Sequence, residues 1–186
     1  RHSGPAAILK DGSWESKTHP GLVWTLVAGN FHDSLGAASL PPDLIYYDMF
    51  SGKTNAEAWT LSAFRKLFAV CEGRNVSLFT YTCSTASRVA LLAAGFHVAR
   101  GRSTGDKTET TIALTAGAVR PDHDLLAAEW LAKWHRSTAR FPADLTAHEH
   151  SAIEEVILRH PQFHAGGNAS RRPSPETGSG VAEERI

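Results

Sequence analysis

The chain has 186 residues, 42% of them hydrophobic and 20% charged, which fits one globular domain with a substantial core plus tails. Its 19 basic residues cancel its 19 acidic ones, which excludes a global pull toward nucleic acid or membrane and leaves only local patches as docking surfaces. No apolar run reaches the ~20 residues that span a bilayer, the start Arg1-His2-Ser3-Gly4 lacks a signal-peptide core, and Cys71 and Cys83 lack zinc-site or disulfide spacing. The expectation is a cytoplasmic protein with reduced cysteines.

Residues 4–10 allow a short helical turn, and Asp11-Gly12 marks a tight turn before Ser13-Trp14-Glu15-Ser16. That segment reads as one arm of a hairpin. The other arm is the β-branched and aromatic run Leu22 to Ala28, ended by Gly29-Asn30. Phe31 to Leu40 reads as a short helix closed by Pro41-Pro42, and Leu44-Ile45-Tyr46-Tyr47 as an apolar strand of the kind buried in parallel sheets. Thr54 and Glu57 have capping-box spacing, and Leu61, Phe64, Leu67, Phe68 and Cys71 recur at helical spacing, which predicts about four turns of helix ended by Gly73. Val76 to Thr82 is the next buried strand, Ser84 to Ala94 an Ala/Leu-rich helix stopped by Gly95, and Phe96 to Ala99 a further strand. After the polar loop Gly101 to Lys107, Thr108 to Thr115 predicts a final strand, antiparallel because only a short turn precedes it. Beyond Pro121, Leu125, Leu126, Trp130 and Trp134 mark one helix, and Ile153, Val156 and Ile157 a second. The Gly, Ser, Pro and charge-rich residues 165–186 read as a disordered tail.

Asp48 falls at the carboxyl end of a predicted central strand, where open α/β sheets place their ligands. It has two readings: a carboxylate that takes a hydrogen bond or proton from a nucleophilic amine, or a loop carboxylate capping the backbone of Phe50 or Ser51. Phe50, Trp59 and Tyr81 suit stacking on a flat base, with core packing the alternative for Trp59. Ser51, Lys53 and Asn55 lie in the same loop and suit substrate contacts to phosphate or a base edge; Lys53 also reads as a solvated charge and Asn55 as a helix start. Arg88, Arg100, Arg102 and Lys107 are either a basic rim for phosphates or an ordinary solvated surface. No metal site is expected, because His148 and His150 of His148-Glu149-His150 are two apart and do not share a helix face.

The run Asp48-Met-Phe-Ser-Gly-Lys-Thr-Asn-Ala-Glu-Ala-Trp-Thr60 resembles the Asp-Pro-Phe-Ser-Pro-Lys-Thr-Asn-Pro-Glu-Leu-Trp-Thr signature of the MnmC-like methyltransferases. Phe79 to Phe96 resembles that family's next strand and helix, and Gly105 to Ile112 its closing hairpin. Arg140-Phe-Pro and His160-Pro-Gln-Phe163 extend the similarity toward the C-terminus. The resemblance implies an α/β fold: a partial class I methyltransferase, Rossmann-like sheet, mostly parallel with an antiparallel last strand, plus C-terminal helices. It also implies S-adenosylmethionine as cofactor and methyl transfer to an aminomethyl nitrogen on a tRNA wobble uridine, with Asp48 beside the amine and the cofactor. Asn30 stands where the family commonly has an acid against the adenine amino group, and its side-chain oxygen still accepts such a bond. In bifunctional members a separate FAD-dependent oxidoreductase domain makes the amine, and nothing in this sequence corresponds to it. Met49 and Gly52 replace common prolines, and no glycine-rich nucleotide loop follows any predicted strand.

In that fold, two strands lie in space between Leu22–Ala28 and Asp43–Asp48 yet come earlier in sequence. Only 21 residues precede Leu22, whereas a single βαβ unit takes about 30. The expected organisation is therefore residues 1–118 as the C-terminal part of a methyltransferase domain, 119–164 as a helical extension and 165–186 as a tail. Such an incomplete copy leaves a sheet edge for a second chain to cover. The alternative is a catalytically inactive remnant acting as a binding or partner domain.

Overall fold

The computed structural model describes residues 4–37, 40–71, 73–103 and 109–164; the expected tail and part of the loop before the last predicted strand lie outside them. Helix α1 (Gly4–Asp11) turns at Gly12, φ +74°, into β1 (Ser13–Glu15), which pairs antiparallel with β2 (Val23–Thr25). This is the expected hairpin, and it forms a two-stranded sheet of its own. Trp14 and Trp24, opposite each other in register, meet edge to face at 5.9 Å. A short helix, α2 (Phe31–Ser34), follows and tightens into a 3₁₀ turn at Leu35–Ala37.

The main sheet contains β3 (Leu44–Tyr46), β4 (Ser77–Thr80), β5 (His97–Gly101), β6 (Thr110–Leu114) and β7 (Asp124–Leu125), in the spatial order β3-β4-β6-β5-β7. Strands β3 and β4 pair in parallel, β6 runs antiparallel to both β4 and β5, and β7 runs antiparallel to β5. The sheet is thus mixed: β3, β4 and β5 share one direction, and the returning strand β6 fills the gap between β4 and β5. Helices α3 (Leu61–Ala69) and α4 (Thr85–Ala94) supply Phe64, Leu67, Val89 and Leu92 to one core with Leu78 and Val98 of the sheet. Gly95 ends α4 in the left-handed region at φ +113°, and a Cβ there would meet the Phe68 ring at 2.9 Å.

Two differences from the sequence expectation have a physical cause in the structure. Helix α3 begins at Leu61 with Thr60 as its cap, its Oγ1 accepting from Ala63 N at 3.1 Å, rather than at Thr54. Residues 56–59 stay in a 3₁₀ turn, with Ala58 O accepting from Tyr47 Oη. The N–H groups of Leu61 and Ser62 donate to the Asp144 carboxylate, at 3.0 and 3.1 Å. Leu125, expected in a helix, lies in β7 opposite Ala99, because the open side of β5 offers pairing that outweighs helical periodicity. The helix α5 (Ala128–Arg136) starts afterwards and buries Trp130 and Trp134; α6 (Ala147–Leu158) buries Ile153 and Ile157 but leaves Val156 44% exposed.

Residues 119–164 share the core and the sheet. Gln162, in a 3₁₀ turn after α6, is buried and acts as a surrogate strand against β5: its Oε1 accepts from Val98 N at 2.7 Å, and its Nε2 donates to Val98 O at 2.9 Å and Leu126 O at 2.7 Å. His160 Nδ1 accepts from Gln162 N, and its ring lies 5.1 Å from that of His97. Burial, and then His97, push His160 down to about 4. At the opposite side β3 is the edge strand among the described residues, with Leu44 50% and Tyr46 76% exposed. No helix among the described residues is long and apolar enough to cross a membrane.

Gln162→Ala strands the Val98 N–H and is expected to lower stability by about 2–3 kcal/mol in urea unfolding. His160 is held neutral in the fold and titrates near 6.5 when unfolded, so its contribution is full above about pH 6.5 and is lost as pH falls through about 4. His160→Asn keeps an acceptor for Gln162 N, and the stability it loses between pH 7 and pH 5 is expected to be smaller than that of the parent chain.

Candidate active site

Because β3 and β4 run parallel, their carboxyl ends finish side by side, and the pairing continues one residue past β3, with Tyr47 N donating to Phe79 O at 2.8 Å. Asp48 is thereby set beside Thr80 and Tyr81. Tyr46, Asp48, Phe79, Thr80, Tyr81 and Thr110 line a cleft of about 450 Å³. The Asp48 carboxylate is exposed and has no hydrogen-bond partner among the described residues, so it is not spent capping Phe50 or Ser51. Thr80 is 6% exposed, and its Oγ1 is buried without a partner among the described residues. Tyr46 and Phe79, opposite each other in register, place their rings 5.9 Å apart at a 30° tilt on one face of the sheet.

Three aromatic residues hold the loop that follows. Tyr81 Oη donates to Met49 O, Trp59 Nε1 donates to Phe50 O at 2.7 Å, and Tyr47 Oη closes the far end at Ala58 O. Within the loop, Ser51 O accepts from Thr54 N at 2.8 Å and Asn55 N at 2.9 Å, giving a tight turn. Trp59, 9% exposed, packs edge-on against Tyr47, Phe64 and Tyr81, which is the core role among its two readings. A second cleft of about 340 Å³ opens beside the first, lined by Ser51, Trp59, Tyr81, Thr82, Ser84 and Phe141 among others. Tyr81 is common to both.

Arg88 braces this rim from inside and is no part of a basic surface. It is 1% exposed, donating from Nε to Thr111 Oγ1, from one terminal nitrogen to Glu109 and from the other to Thr110 O, each at 3.0 Å. Thr111 Oγ1 donates onward to Thr82 O at 2.6 Å. Burial of a guanidinium requires such acceptors, and here they come from the adjacent strand. Arg100 is also engaged, with Asp124 at 3.3 Å and Glu109 at 3.6 Å; Lys107 lies outside the described residues.

The structure brings Asp48 and Tyr81 together in the first cleft and Ser51 with Tyr81 in the second. Phe50, 75% exposed, Lys53 and Asn55 line neither. Asn30 belongs to a third, polar cleft with His32, Asp33, Glu57 and Lys66, and its Oδ1 accepts from His32 N at 2.9 Å as the cap of α2. It does not converge on Asp48. Glu149 Oε2 accepts from both Thr146 N and Thr146 Oγ1, and His150 stacks on Phe141 at 4.0 Å, so these two side chains serve helix α6 and its packing. Thr80 and Phe141 escaped the sequence reading: Thr80 is signalled only by its place at a strand end, Phe141 only by the Arg140-Phe-Pro resemblance.

Residues 12–116 match the model of a family described as S-adenosyl-L-methionine-dependent methyltransferase. The chain is 34% identical over 92 residues to the tRNA 5-methylaminomethyl-2-thiouridine biosynthesis bifunctional protein MnmC of Ralstonia nicotianae, covering 50% of this chain and 14% of that protein. The protein of the same name from Ectopseudomonas mendocina is 30% identical over 132 residues, 71% of this chain and 18% of that protein. The crystal structure of MNMC2 from Aquifex aeolicus shares the fold, with a TM-score of 0.60 at 20% identity over 87% of this chain and 50% of that one. The chain thus spans less than a fifth of these curated relatives and half of the solved structure.

Tyr47→Phe removes the bond to Ala58 O and is expected to cost about 1 kcal/mol in urea unfolding. The same variant is expected to be cut faster within residues 48–60 by limited proteolysis, with the rest of the chain unaffected.

Proposed function

The chain belongs to the family of S-adenosyl-L-methionine-dependent methyltransferases, and from that premise we propose that it transfers a methyl group to an aminomethyl nitrogen, carried on a tRNA uridine, in the Asp48 cleft. The observation that carries this reading is the unspent Asp48 carboxylate at the mouth of β3, in a cleft with two aromatic faces. The tRNA acceptor is supported by the names of the relatives.

When bound, S-adenosylmethionine supplies an electrophilic methyl group on a sulfonium, which a neutral amine attacks in line. The cleft fits that end of the cofactor: the Tyr46 and Phe79 rings and the Asp48 carboxylate favour a positive charge. Asp48 accepts the amine proton, which keeps the nitrogen lone pair free and orients it across the cleft. Tyr81 holds the Met49 peptide next to that carboxylate and borders the acceptor side, where Ser51 and Asn55 shape the turn. Phe50 and Lys53 project from the loop, suited to stack on a base and to meet a phosphate.

Asp48→Asn is expected to lower methyl transfer to an aminomethyl-uridine tRNA by about 10²–10⁴-fold, with the far-UV circular dichroism unchanged. Turnover equal to the parent's would overturn the assignment. A parent chain that shows no calorimetric heat with S-adenosylmethionine and no turnover favours the second reading, a catalytically inactive partner domain, which the open edge of β3 supports.

A further inference from the structure

The cleft beside Asp48 has a chemistry of its own. Among the described residues that line its roughly 340 Å³ none is charged, and Ser51, Thr82, Ser84 and Ser87 bring hydroxyl groups to it. Thr82 Oγ1 accepts from Ser84 N at 3.2 Å and Ser84 Oγ from Ser87 N at 3.4 Å, so the backbone holds each oxygen while its hydrogen stays free to donate. A neutral ring with carbonyl-type acceptors can enter such a lining at little cost, whereas a carboxylate or a phosphate would be desolvated without a counter-ion. The volume is at the small end of the ~300–1,000 Å³ of ligand pockets, which suits one base rather than two.

Three separate segments wall this cleft. The loop after β3 gives Ser51 and Trp59, the end of β4 and the first turn of α4 give Tyr81 and Ser84, and the connection between α5 and α6 gives Phe141, Pro142 and Ala143. That last wall is fixed at both ends. Arg140 O accepts from the buried Trp134 Nε1 at 3.1 Å, and Phe141 lies against His150 at 4.0 Å and under the Arg140 guanidinium at 5.0 Å. At the other end, Asp144 follows Ala143 directly, and its two oxygens accept from Leu61 N and Ser62 N, immediately after the loop that ends at Trp59 and Thr60. A carboxylate on the bare donors of a helix start is a strong tie, and this one joins two walls of the cleft just beyond the last residue of each.

Building on the reading of Asp48 as the residue that meets the amine, we propose that this second cleft receives the uncharged heterocyclic ring of the acceptor, and that Asp144 is a positioning residue that sets the width of the cleft. Tyr81, common to both clefts, marks where the aminomethyl arm crosses from the ring to Asp48. A ring held in this way presents its amine in one orientation, which is the entropic part of the work.

Backbone amide NMR of the full chain tests this by binding, without need of turnover, using uridine and aminomethyluridine as probes. Both nucleosides are expected to shift the amides of Thr82, Ser84, Ser87 and Ala143. Ala143→Phe, at an exposed position, is expected to fill the cleft and weaken both nucleosides about tenfold with the far-UV circular dichroism unchanged. Asp144→Ala is expected to weaken both by a similar factor, and Asp144→Asn, whose oxygen still accepts one of the two N–H groups, to recover most of the loss. No shift with either nucleoside, shifts confined to other residues, or affinities untouched by Ala143→Phe or by Asp144→Ala overturns the inference. Asp48→Asn is expected to weaken aminomethyluridine alone. If both nucleosides bind in the cleft and neither responds to Asp48→Asn, the amine reading falls and the assignment of the cleft to the ring stands.

Discussion

The geometry of the site depends on a single residue, Tyr47, placed where β3 gives way to the loop. Its N–H extends the parallel pairing to Phe79, its hydroxyl fixes the carbonyl of Ala58 at the far end of the loop, and its ring packs against Phe31, Trp59 and Phe64. It is 1% exposed, so each of these bonds is made out of water, where leaving a polar group unpaired is expensive. One side chain thus fixes both ends of a polar loop that has little hydrophobic anchorage of its own. Trp59 and Tyr81 reinforce it from the remaining sides.

Much of the architecture was legible because glycine and proline punctuate it. Gly95 must stop α4, since the left-handed conformation and the Phe68 ring both exclude a side chain there, and the strands on either side show the expected apolar runs. The hairpin, the alternation of strands and helices and the returning antiparallel strand followed from such signals. The start of α3 did not. Thr54 and Glu57 have the right spacing for a cap, but the helix is capped at Thr60 and its entrance completed by the remote Asp144, which local periodicity does not see. Leu125 was misread for a similar reason, its partner Ala99 being remote in sequence.

The placement of Asp48, Ser51 and Tyr81 along neighbouring clefts was readable because strand ends in parallel pairs set side chains in a common crevice. Arg88 was not: an arginine on an Ala/Leu-rich helix reads as solvent-facing unless its acceptors are known, and they lie 21 to 23 residues downstream. Its burial turns a surface charge into a strut beneath Thr82. The resemblance to a known family added Phe141 to view, but only the coordinates show that its ring is sandwiched with His150 at the border of a cleft.

The carboxylate that satisfies the first two N–H groups of α3 comes from Asp144, 83 positions further along the chain. On a ribosome, the loop around Asp48 emerges long before that carboxylate exists, so the helix entrance waits with bare donors until the extension has been made and has docked. A nascent chain stalled before Asp144 would leave the Leu61 and Ser62 N–H groups to water, whereas the loop before them would keep its bonds from Tyr47, Trp59 and Tyr81.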